Sequence, residues 1–212
     1  MFSGIVEAVE PVLNAEVLPG LVRLQVQKPI EFNDLKIGDS IAVDGVCLTV
    51  EGFTDKQMTF ALASETLQVL KLTQQPAQKW LGKKLNLERS LKFGDRIHGH
   101  LVTGHVDSLG QVASRNQDGE SLILEIEVQK SVLPFLWKKG SVTLNGTSLT
   151  VNTLREVADA STPLTSVGAR VGVCLIPETL KRTNLGLLQV GDSVTVEPDY
   201  MARAMVRRME LQ

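Results

Sequence analysis

An internal repeat constrains the fold of this chain more than any other feature of its sequence. Residues 40–50 read Ser-Ile-Ala-Val-Asp-Gly-Val-Cys-Leu-Thr-Val, and residues 141–151 read Ser-Val-Thr-Leu-Asn-Gly-Thr-Ser-Leu-Thr-Val. Each copy has a β-branched run, an Asp-Gly or Asn-Gly pair typical of a two-residue hairpin turn, and a second run ending in Leu-Thr-Val. The sequence therefore predicts the same β-hairpin twice. One difference is chemical, since Cys47 corresponds to Ser148.

The rest of the two halves matches in the same order. Short runs of alternating apolar and polar residues recur between turn signals, and only brief segments have helical spacing. This pattern predicts an all-β protein with one antiparallel barrel in each half. The matching pairs, first copy then second, are residues 2–7 and 102–107, 21–27 and 122–128, 64–67 and 177–180, and 85–88 and 194–197.

Charge and cysteine content exclude several classes of function. Lys plus Arg (22) nearly balance Asp plus Glu (24), so the formal charge of -2 provides no basic surface for nucleic acid. No apolar run reaches membrane-spanning length and residues 1–7 lack the features of a signal peptide, so we expect a cytoplasmic protein without membrane contact. Cys47 and Cys174 lack metal-ligand spacing and are expected to be free thiols.

The last segment lies outside both copies of the repeat. Residues 199–211 place Met201, Met205 and Met209 at helical spacing, which predicts an amphipathic helix. Two interpretations stay open for its apolar face. The helix covers its own barrel, or it forms a seam between subunits, which its position outside the repeats favours.

Four motifs are more specific in combination than any one of them alone. In their order, and with both halves in register over essentially the whole chain, they resemble the riboflavin synthase family of the alpha-chain type. They are Met-Phe-Ser-Gly-Ile-Val-Glu at residues 1–7, Asp-Gly-Val-Cys-Leu-Thr-Val at residues 44–50, the pairs Gly99-His100 and Gly104-His105, and Ile-Pro-Glu-Thr-Leu at residues 176–180.

This resemblance implies an architecture and a reaction. It implies two six-stranded closed antiparallel barrels, at residues 1–97 and 98–198, and a C-terminal helix at residues 199–212 that gathers three subunits. The implied reaction is the dismutation of two molecules of 6,7-dimethyl-8-ribityllumazine into riboflavin and 5-amino-6-(D-ribitylamino)uracil, without metal, flavin or nicotinamide cofactor. The active site would lie between the N-terminal barrel of one subunit and the C-terminal barrel of its neighbour, and lumazine synthase is a further possible partner.

Two residues carry most of the expected chemistry. Cys47 would be a nucleophile or an orienting donor, although a cysteine within a strand is more often packing material. His105 would transfer the proton of the substrate methyl group, because imidazole both accepts and returns a proton near neutral pH. The repeat has Ile5 in the equivalent position, so the fold itself does not require an imidazole there. One hypothesis is that Cys47 and His105 act across a subunit contact.

The resemblance also implies a wider set of site residues. Ser148, Ser40, Asp199 and Phe2 join the catalytic group, although an Asp before a helix is commonly an N-cap. The carboxylates of the two Glu-Thr-Leu copies, Glu65 and Glu178, would accept hydrogen bonds from ribityl hydroxyls. They would also stabilise the N-termini of the helices that begin there, and both interpretations hold together. The implied substrate-binding residues are Gly4, Ile5, Val6, Cys47, Leu48, Thr49, Ala61, Leu62, Ala63, Ser64, Glu65, Thr66, Gly104, His105, Val106, Lys139, Ser148, Leu149, Thr150, Cys174, Leu175, Ile176, Pro177, Glu178 and Thr179.

Three other interpretations compete with this one. His98, His100 and His105 resemble a metal site, but no carboxylate or thiolate cluster completes it, so we expect no metal. A non-enzymatic lumazine-binding or flavin-binding protein of the same fold would tend to lose the polar residues of one half, whereas both halves keep theirs. A flavin-binding barrel of an electron-transfer chain would normally accompany a Gly-rich nucleotide motif, which this chain lacks.

Overall fold

The two halves of the chain form two β-structures in the computed structural model, which describes residues 1–71, 80–158 and 166–211. The first half contains β1 (Ala8–Leu18), β2 (Leu21–Gln27), β3 (Ser40–Val43), β4 (Val46–Phe53), β5 (Gln57–Ala63), α1 (Ser64–Val69) and β6 (Lys84–Arg89). The second half contains β7 (Ser108–Asp118), β8 (Ser121–Gln129), β9 (Ser141–Leu144), β10 (Thr147–Thr150), β11 (Thr153–Ala158), β12 (Ser166–Leu175), α2 (Pro177–Arg182) and β13 (Ser193–Pro198), followed by α3 (Tyr200–Glu210).

Both halves use the same strand order. The first is a closed barrel in the order β1-β2-β5-β4-β3-β6, in which β6 returns to pair with β1. The second is a sheet in the order β10-β9-β13-β7-β8-β12-β11, where β10 and β11 together take the place of β4. Val151 and Asn152 separate β10 from β11. They correspond to the position in β4 where the register shifts after Val50. The prediction of two tandem antiparallel barrels with a C-terminal helix is confirmed, with this opening in the second.

Alternation of side chains builds both cores. Val22, Leu24 and Val26 on β2 are buried while their neighbours are partly exposed, and β8 repeats this pattern with Leu122, Leu124 and Ile126. A period of two places every second side chain inside the barrel. The predicted boundaries of β2 therefore agree with the structure. The predicted polar loop at residues 73–78 lies outside the described residues.

The opening segment of each half does not belong to its own barrel. The sequence pattern predicts a first strand from Ile5, but β1 begins at Ala8. Phe2 instead pairs with Val102, with N–H···O distances of 2.8 and 3.0 Å in the two directions, and Phe2 is fully buried between the halves. Hydrogen bonding and burial between the halves outweigh the local strand pattern at this position.

Each opening segment crosses to the hairpin of the other half. The Ser148 amide donates to the Gly4 carbonyl at 2.7 Å, and the Cys47 amide donates to the Gly104 carbonyl at 2.8 Å. A Cβ on Gly4 would lie 2.6 Å from the Ser148 Cβ, and one on Gly104 would lie 2.6 Å from the Cys47 Cβ. The repeat therefore keeps glycine at both positions because the backbones touch there.

A buried polar network joins the two hairpin turns, and it breaks the symmetry of the repeat. Asp44 Oδ1 accepts bonds from the Asn86 amide at 2.7 Å and from Asn184 Nδ2 at 2.8 Å. Asn145, the counterpart of Asp44, accepts from the Thr195 amide at 2.9 Å and donates to Asn184 Oδ1 at 3.2 Å. Burial raises the pKa of Asp44 to about 7, although the hydrogen bonds from Asn86 and Asn184 oppose the shift.

Asp44→Asn is expected to stabilise the protein at pH 8. The carboxyl group binds its proton more tightly when folded, so its contribution to stability falls as pH rises from about 4 to about 7. An amide keeps the accepting oxygen, tolerates the left-handed backbone as Asn145 does, and removes the buried charge. We expect a gain of roughly 1 to 3 kcal/mol in unfolding free energy at pH 8 and a shallower pH dependence.

Urea unfolding between pH 4.5 and 8.5 measures this effect. Burial also raises the pKa of Glu88 to about 7, so the unfolding free energy of both proteins falls with pH for this second reason. The quantity to compare is therefore the difference in unfolding free energy between Asp44→Asn and the wild type at each pH. Exposed Asp55→Asn is the matched control and should leave the profile unchanged. A lower stability of Asp44→Asn at pH 8 would show that the charge is needed in the network.

The C-terminal helix α3 is anchored through one face only. Asp199 caps its N-terminus by accepting from the Met201 amide at 2.9 Å, and Arg203 is hydrogen-bonded to Asp107. Met205 and Met209 are 66% and 72% exposed, so the described part of the chain does not cover the methionine face. None of the described helices combines the length and the apolar character needed to cross a membrane.

Candidate functional site

The first group of predicted residues forms around Cys47 on β4. The Cys47 side chain is partly buried against an apolar cluster of Phe2, Ala42 and Val102, and its amide is bonded to the carbonyl of Gly104. His105 follows Gly104 directly and has an exposed side chain. We call Cys47, Gly104 and His105 the thiol cluster. Within one chain the bond between the Cys47 amide and the Gly104 carbonyl brings the residue before His105 to Cys47, so the two residues need no subunit contact to come near each other.

The second group forms around Ser148 on β10. Ser148 is partly buried, its amide is bonded to the Gly4 carbonyl, and the following Ile5 is 43% exposed. We call Ser148, Gly4 and Ile5 the hydroxyl cluster. It is the counterpart of the thiol cluster under the repeat, with a hydroxyl in place of the thiol and an isoleucine in place of the imidazole.

An imidazole from the connection between the halves reaches the hydroxyl cluster. His100 Nδ1 lies 2.7 Å from Ser148 Oγ, and its Nε2 lies 3.1 Å from Thr143 Oγ1. Burial lowers the pKa of His100, and the nearby charge of Asp199 opposes this shift. The Cys47 thiol packs against apolar groups instead, so the two clusters present different chemistry.

Two buried glutamates hold the opening segments. Glu197 accepts from the Thr103 amide at 2.8 Å, from Thr103 Oγ1 at 2.6 Å and from the Gly104 amide at 3.1 Å. Glu88 does the same for the Ser3 amide at 2.7 Å, Ser3 Oγ at 2.9 Å and the Gly4 amide at 3.0 Å. Sequence reasoning missed both, although each ends the matched closing strand of its half. The repeat itself was the signal that could have found them.

Other predicted residues lie on the strands of the two hairpins and on the helices that follow β5 and β12. Ser40 pairs with Thr49, and Thr150 pairs with Ser141 on β9. Glu65 and Glu178 are exposed in the first turns of α1 and α2, which directly follow β5 and β12.

Other predicted residues have more specific surroundings. The hydrogen bond from Arg182 lowers the pKa of Glu178. Lys139 is exposed, has φ 71°, and donates its amide to the Val151 carbonyl at 2.7 Å. Cys174 is a free, partly buried thiol on β12.

Several predicted residues point into the cores and have little exposed surface. Phe2 has none, so its side chain holds the halves together and is not free to close over a ligand. Burial of their side chains leaves only the backbone of such residues for ligand contact. The others in this class are Val6, Leu48, Leu62, Leu149 and Leu175, which are 5%, 5%, 3%, 9% and 0% exposed.

Two further features bear on what the site could hold. Within residues 1–71, 80–158 and 166–211, no three His, Cys, Asp or Glu side chains come together as metal ligands would. A cavity of about 650 Å³ is lined by both halves, including Asp44, Trp80 and Asn184, but by none of Cys47, His105 and Ser148. In a single chain the residues with expected chemistry therefore lie outside this cavity, with His105 exposed and Cys47 and Ser148 partly buried.

Comparison with known proteins identifies the repeat. The lumazine binding domain matches residues 3–90 and again residues 103–199. Riboflavin synthase of Mycobacterium tuberculosis strain H37Rv is 38% identical over 211 residues, which cover 99% of this chain and 98% of that protein. Riboflavin synthase of Bacillus subtilis strain 168 is 30% identical over 207 residues, which cover 98% and 89%.

Solved structures agree on the fold. The crystal structure of LumP complexed with riboflavin has a TM-score of 0.76 and 22% identity, and the match covers 93% of this chain and 99% of LumP. Because two domain matches span both halves and the curated relatives align over nearly the full length, the chain belongs to the riboflavin synthase family and carries two copies of the lumazine binding domain.

Proposed function

We propose that this chain is a riboflavin synthase, a transferase that moves a four-carbon unit between two molecules of 6,7-dimethyl-8-ribityllumazine. The products are riboflavin and 5-amino-6-(D-ribitylamino)uracil. The observation that carries the proposal is the full-length match to riboflavin synthases of a chain whose two lumazine binding domains differ at their polar centres. Two similar domains suit two identical substrates, and different centres suit their different roles.

Positioning supplies much of the proposed catalysis. Holding two reactants in a reactive geometry contributes roughly 7 to 11 kcal/mol to lowering a barrier. His105, exposed beside Cys47, removes and returns the proton of the C7 methyl group of one lumazine. Cys47 adds to the ring held by the thiol cluster or orients it, and Ser148 hydrogen-bonds the polar edge of the ring held by the hydroxyl cluster. The exposed Glu65 and Glu178 accept bonds from the ribityl chains. Ser40, Thr49, Thr150 and Asp199 complete the polar surroundings.

The active enzyme is a homotrimer in this proposal. Within one chain each cluster exposes one side chain, His105 or Ile5, and the methionine face of α3 is uncovered by described residues. Stacking two substrates requires the thiol cluster of one subunit to face the hydroxyl cluster of the next. A head-to-tail contact of this kind closes into a ring. The proposal places the domain limits at residues 97 and 198 and the enzyme in the cytoplasm, where lumazine synthase would supply its substrate.

Turnover of purified protein tests the proposed function. The protein is incubated with 6,7-dimethyl-8-ribityllumazine and a chelator, and riboflavin is followed by absorbance. We expect catalytic formation of one riboflavin for each pair of lumazines consumed. Tight binding without turnover would instead indicate a non-catalytic lumazine-binding or flavin-binding protein. The similarity of the fold to that of LumP supports this alternative.

Mixed trimers test which clusters meet. A Cys47→Ser chain keeps its hydroxyl cluster, and a Ser148→Ala chain keeps its thiol cluster, so about a third of the sites in each mixed trimer should be intact. We expect activity to return on mixing these two inactive variants. Subunits are exchanged under mild denaturant, and the mixed species is isolated with two affinity tags before assay.

The control pair is Cys47→Ser with His105→Ala. Both changes fall in the thiol cluster, so every site in their mixed trimers lacks one group and should stay inactive. Recovery in this control pair, or none in the first pair, would contradict the proposed arrangement. Sedimentation of the wild type reports whether the assembly is trimeric at all.

A further inference from the structure

An imidazole that the catalytic proposal does not use lies beside the hydroxyl cluster. The sequence places His100 in the Gly99-His100 motif and in an incomplete metal site, and in the structure both of its ring nitrogens face hydroxyl groups, Ser148 Oγ at 2.7 Å and Thr143 Oγ1 at 3.1 Å. Thr143 is 1% exposed, so its hydroxyl has no alternative partner in bulk water. The imidazole therefore forms a bridge from a buried anchor to the hydroxyl at the ligand side.

The backbone on both sides of this imidazole is fixed. The His100 amide donates to the Ser3 carbonyl at 3.2 Å, and a Cβ on Gly99 would lie 2.7 Å from the Ser148 Cβ. The connection between the halves thus runs directly over Ser148. This close approach leaves the ring little freedom to leave Ser148.

We propose that His100 is a positioning residue that fixes the direction and the proton of the Ser148 hydroxyl for the ligand bound at the hydroxyl cluster. This inference rests on the proposed function. A neutral imidazole carries one proton, so it donates to one of the two hydroxyls and accepts from the other, and the ring couples the direction of the Ser148 bond to that of the Thr143 bond. Ser148 then presents one defined group, a proton or a lone pair, to the polar edge of the lumazine ring.

Charge on the ring would remove the coupling between the two hydroxyls, because imidazolium donates from both nitrogens and Ser148 and Thr143 then both accept. Burial lowers the pKa of His100 and keeps it neutral near pH 7. Asp199, at the start of α3, is the charged group that opposes this effect. In the thiol cluster the Cys47 side chain packs against apolar neighbours instead. The bridge through His100 therefore distinguishes the hydroxyl cluster from the thiol cluster.

Two substitutions separate the bridge from simple packing. His100→Asn places an amide near the Nδ1 position and keeps a bond to Ser148, whereas His100→Gln reaches the Nε2 position and keeps only the bond to Thr143. We expect kcat/KM for 6,7-dimethyl-8-ribityllumazine to fall roughly 10- to 100-fold in His100→Gln and by less than about 5-fold in His100→Asn. Thr143→Val should lie between them, because the ring stays but its proton is no longer fixed.

A measurement without turnover keeps the inference independent of the proposed reaction. The chain has 3 histidines, so nitrogen NMR of ¹⁵N-histidine protein can follow His100, whose signals disappear in His100→Asn. We expect a single neutral tautomer at pH 7 that titrates below its ordinary pKa of 6.5, and a mixture of tautomers in Thr143→Val. Lumazine binding should shift these signals in the wild type.

The outcomes are distinguishable. If the wild type shows no turnover but its His100 keeps one tautomer and responds to lumazine, the proposed reaction is overturned and the inference stands. Equal kcat/KM in the Asn and Gln variants, or a ring that exchanges tautomers and ignores the ligand, overturns the inference and leaves the reaction standing. Unfolding curves of the Asn and Gln variants should coincide, and if only the Gln variant unfolds early, the NMR result for Thr143→Val decides.

Discussion

Gly99→Ala is expected to lower the free energy of unfolding by roughly 2 to 4 kcal/mol and to remove most activity. A Cβ at this position would overlap the Ser3 carbonyl oxygen and would lie 2.7 Å from Ser148 Cβ and 2.8 Å from Ser148 Oγ. Ser148 Oγ can rotate about the Cα–Cβ bond, but the Ser3 carbonyl oxygen and the Ser148 Cβ move only with their backbone. The connection between the halves must then lift, which carries His100 away from Ser148.

Gly52→Ala is the matched control for this change. Gly52 lies on β4, and a Cβ added there has no neighbour within 4 Å. Chemical denaturation and lumazine turnover of both variants measure the effect. Loss of stability in Gly99→Ala of no more than about 0.5 kcal/mol beyond that of Gly52→Ala would show that the close approach over Ser148 is relaxed in solution.

Glu197→Gln is expected to have the second large effect, a loss of roughly 2 to 4 kcal/mol in unfolding free energy together with loss of turnover. The carboxylate accepts from the two donors of Thr103 with one oxygen and from the Gly104 amide with the other. An amide has one oxygen, so its NH₂ group must face one of these buried donors. The segment that carries His105 is then released from β13.

Glu88→Gln provides an internal comparison, because Glu88 holds Ser3 and Gly4 in the same way. We expect a similar loss of stability from this variant, whose displaced segment belongs to the hydroxyl cluster. Exposed Glu120→Gln serves as the control for the change of charge. Thermal unfolding and steady-state assays of the three proteins check the prediction. If Glu197→Gln behaves like Glu120→Gln, the carboxylate is not required for the segment.

Local pattern was sufficient for the strands whose two faces have different surroundings. Residues 21–27 alternate in the sequence and in the barrel, and the Asp-Gly and Asn-Gly turns close the predicted hairpins with positive φ at Asp44 and Asn145. The Asp199 cap and the helix that follows it were also readable from the sequence. In each of these cases the deciding interactions lie within a few residues.

Contacts between the halves decided the features that the sequence did not predict. The sequence predicts a first strand from Ile5, but β1 begins at Ala8, and docking of the opening segment on the second half buries Phe2 completely. Glu88 and Glu197 end the matched segments 85–88 and 194–197, and their partners lie far away in sequence. His100 belongs to the Gly99-His100 motif, but only the fold shows that Ser148 lies beside it. No local periodicity encodes such pairings.

The exchange of opening segments between the halves has a consequence for how the protein loses its structure. If either barrel opened alone, the hairpin of the other would lose a backbone hydrogen bond. That bond is Gly4 to Ser148 or Gly104 to Cys47. Partial unfolding would therefore expose buried groups in both halves at once. Two domains that look separable in sequence should melt as one cooperative unit, so damage to one lumazine site weakens the other without touching it.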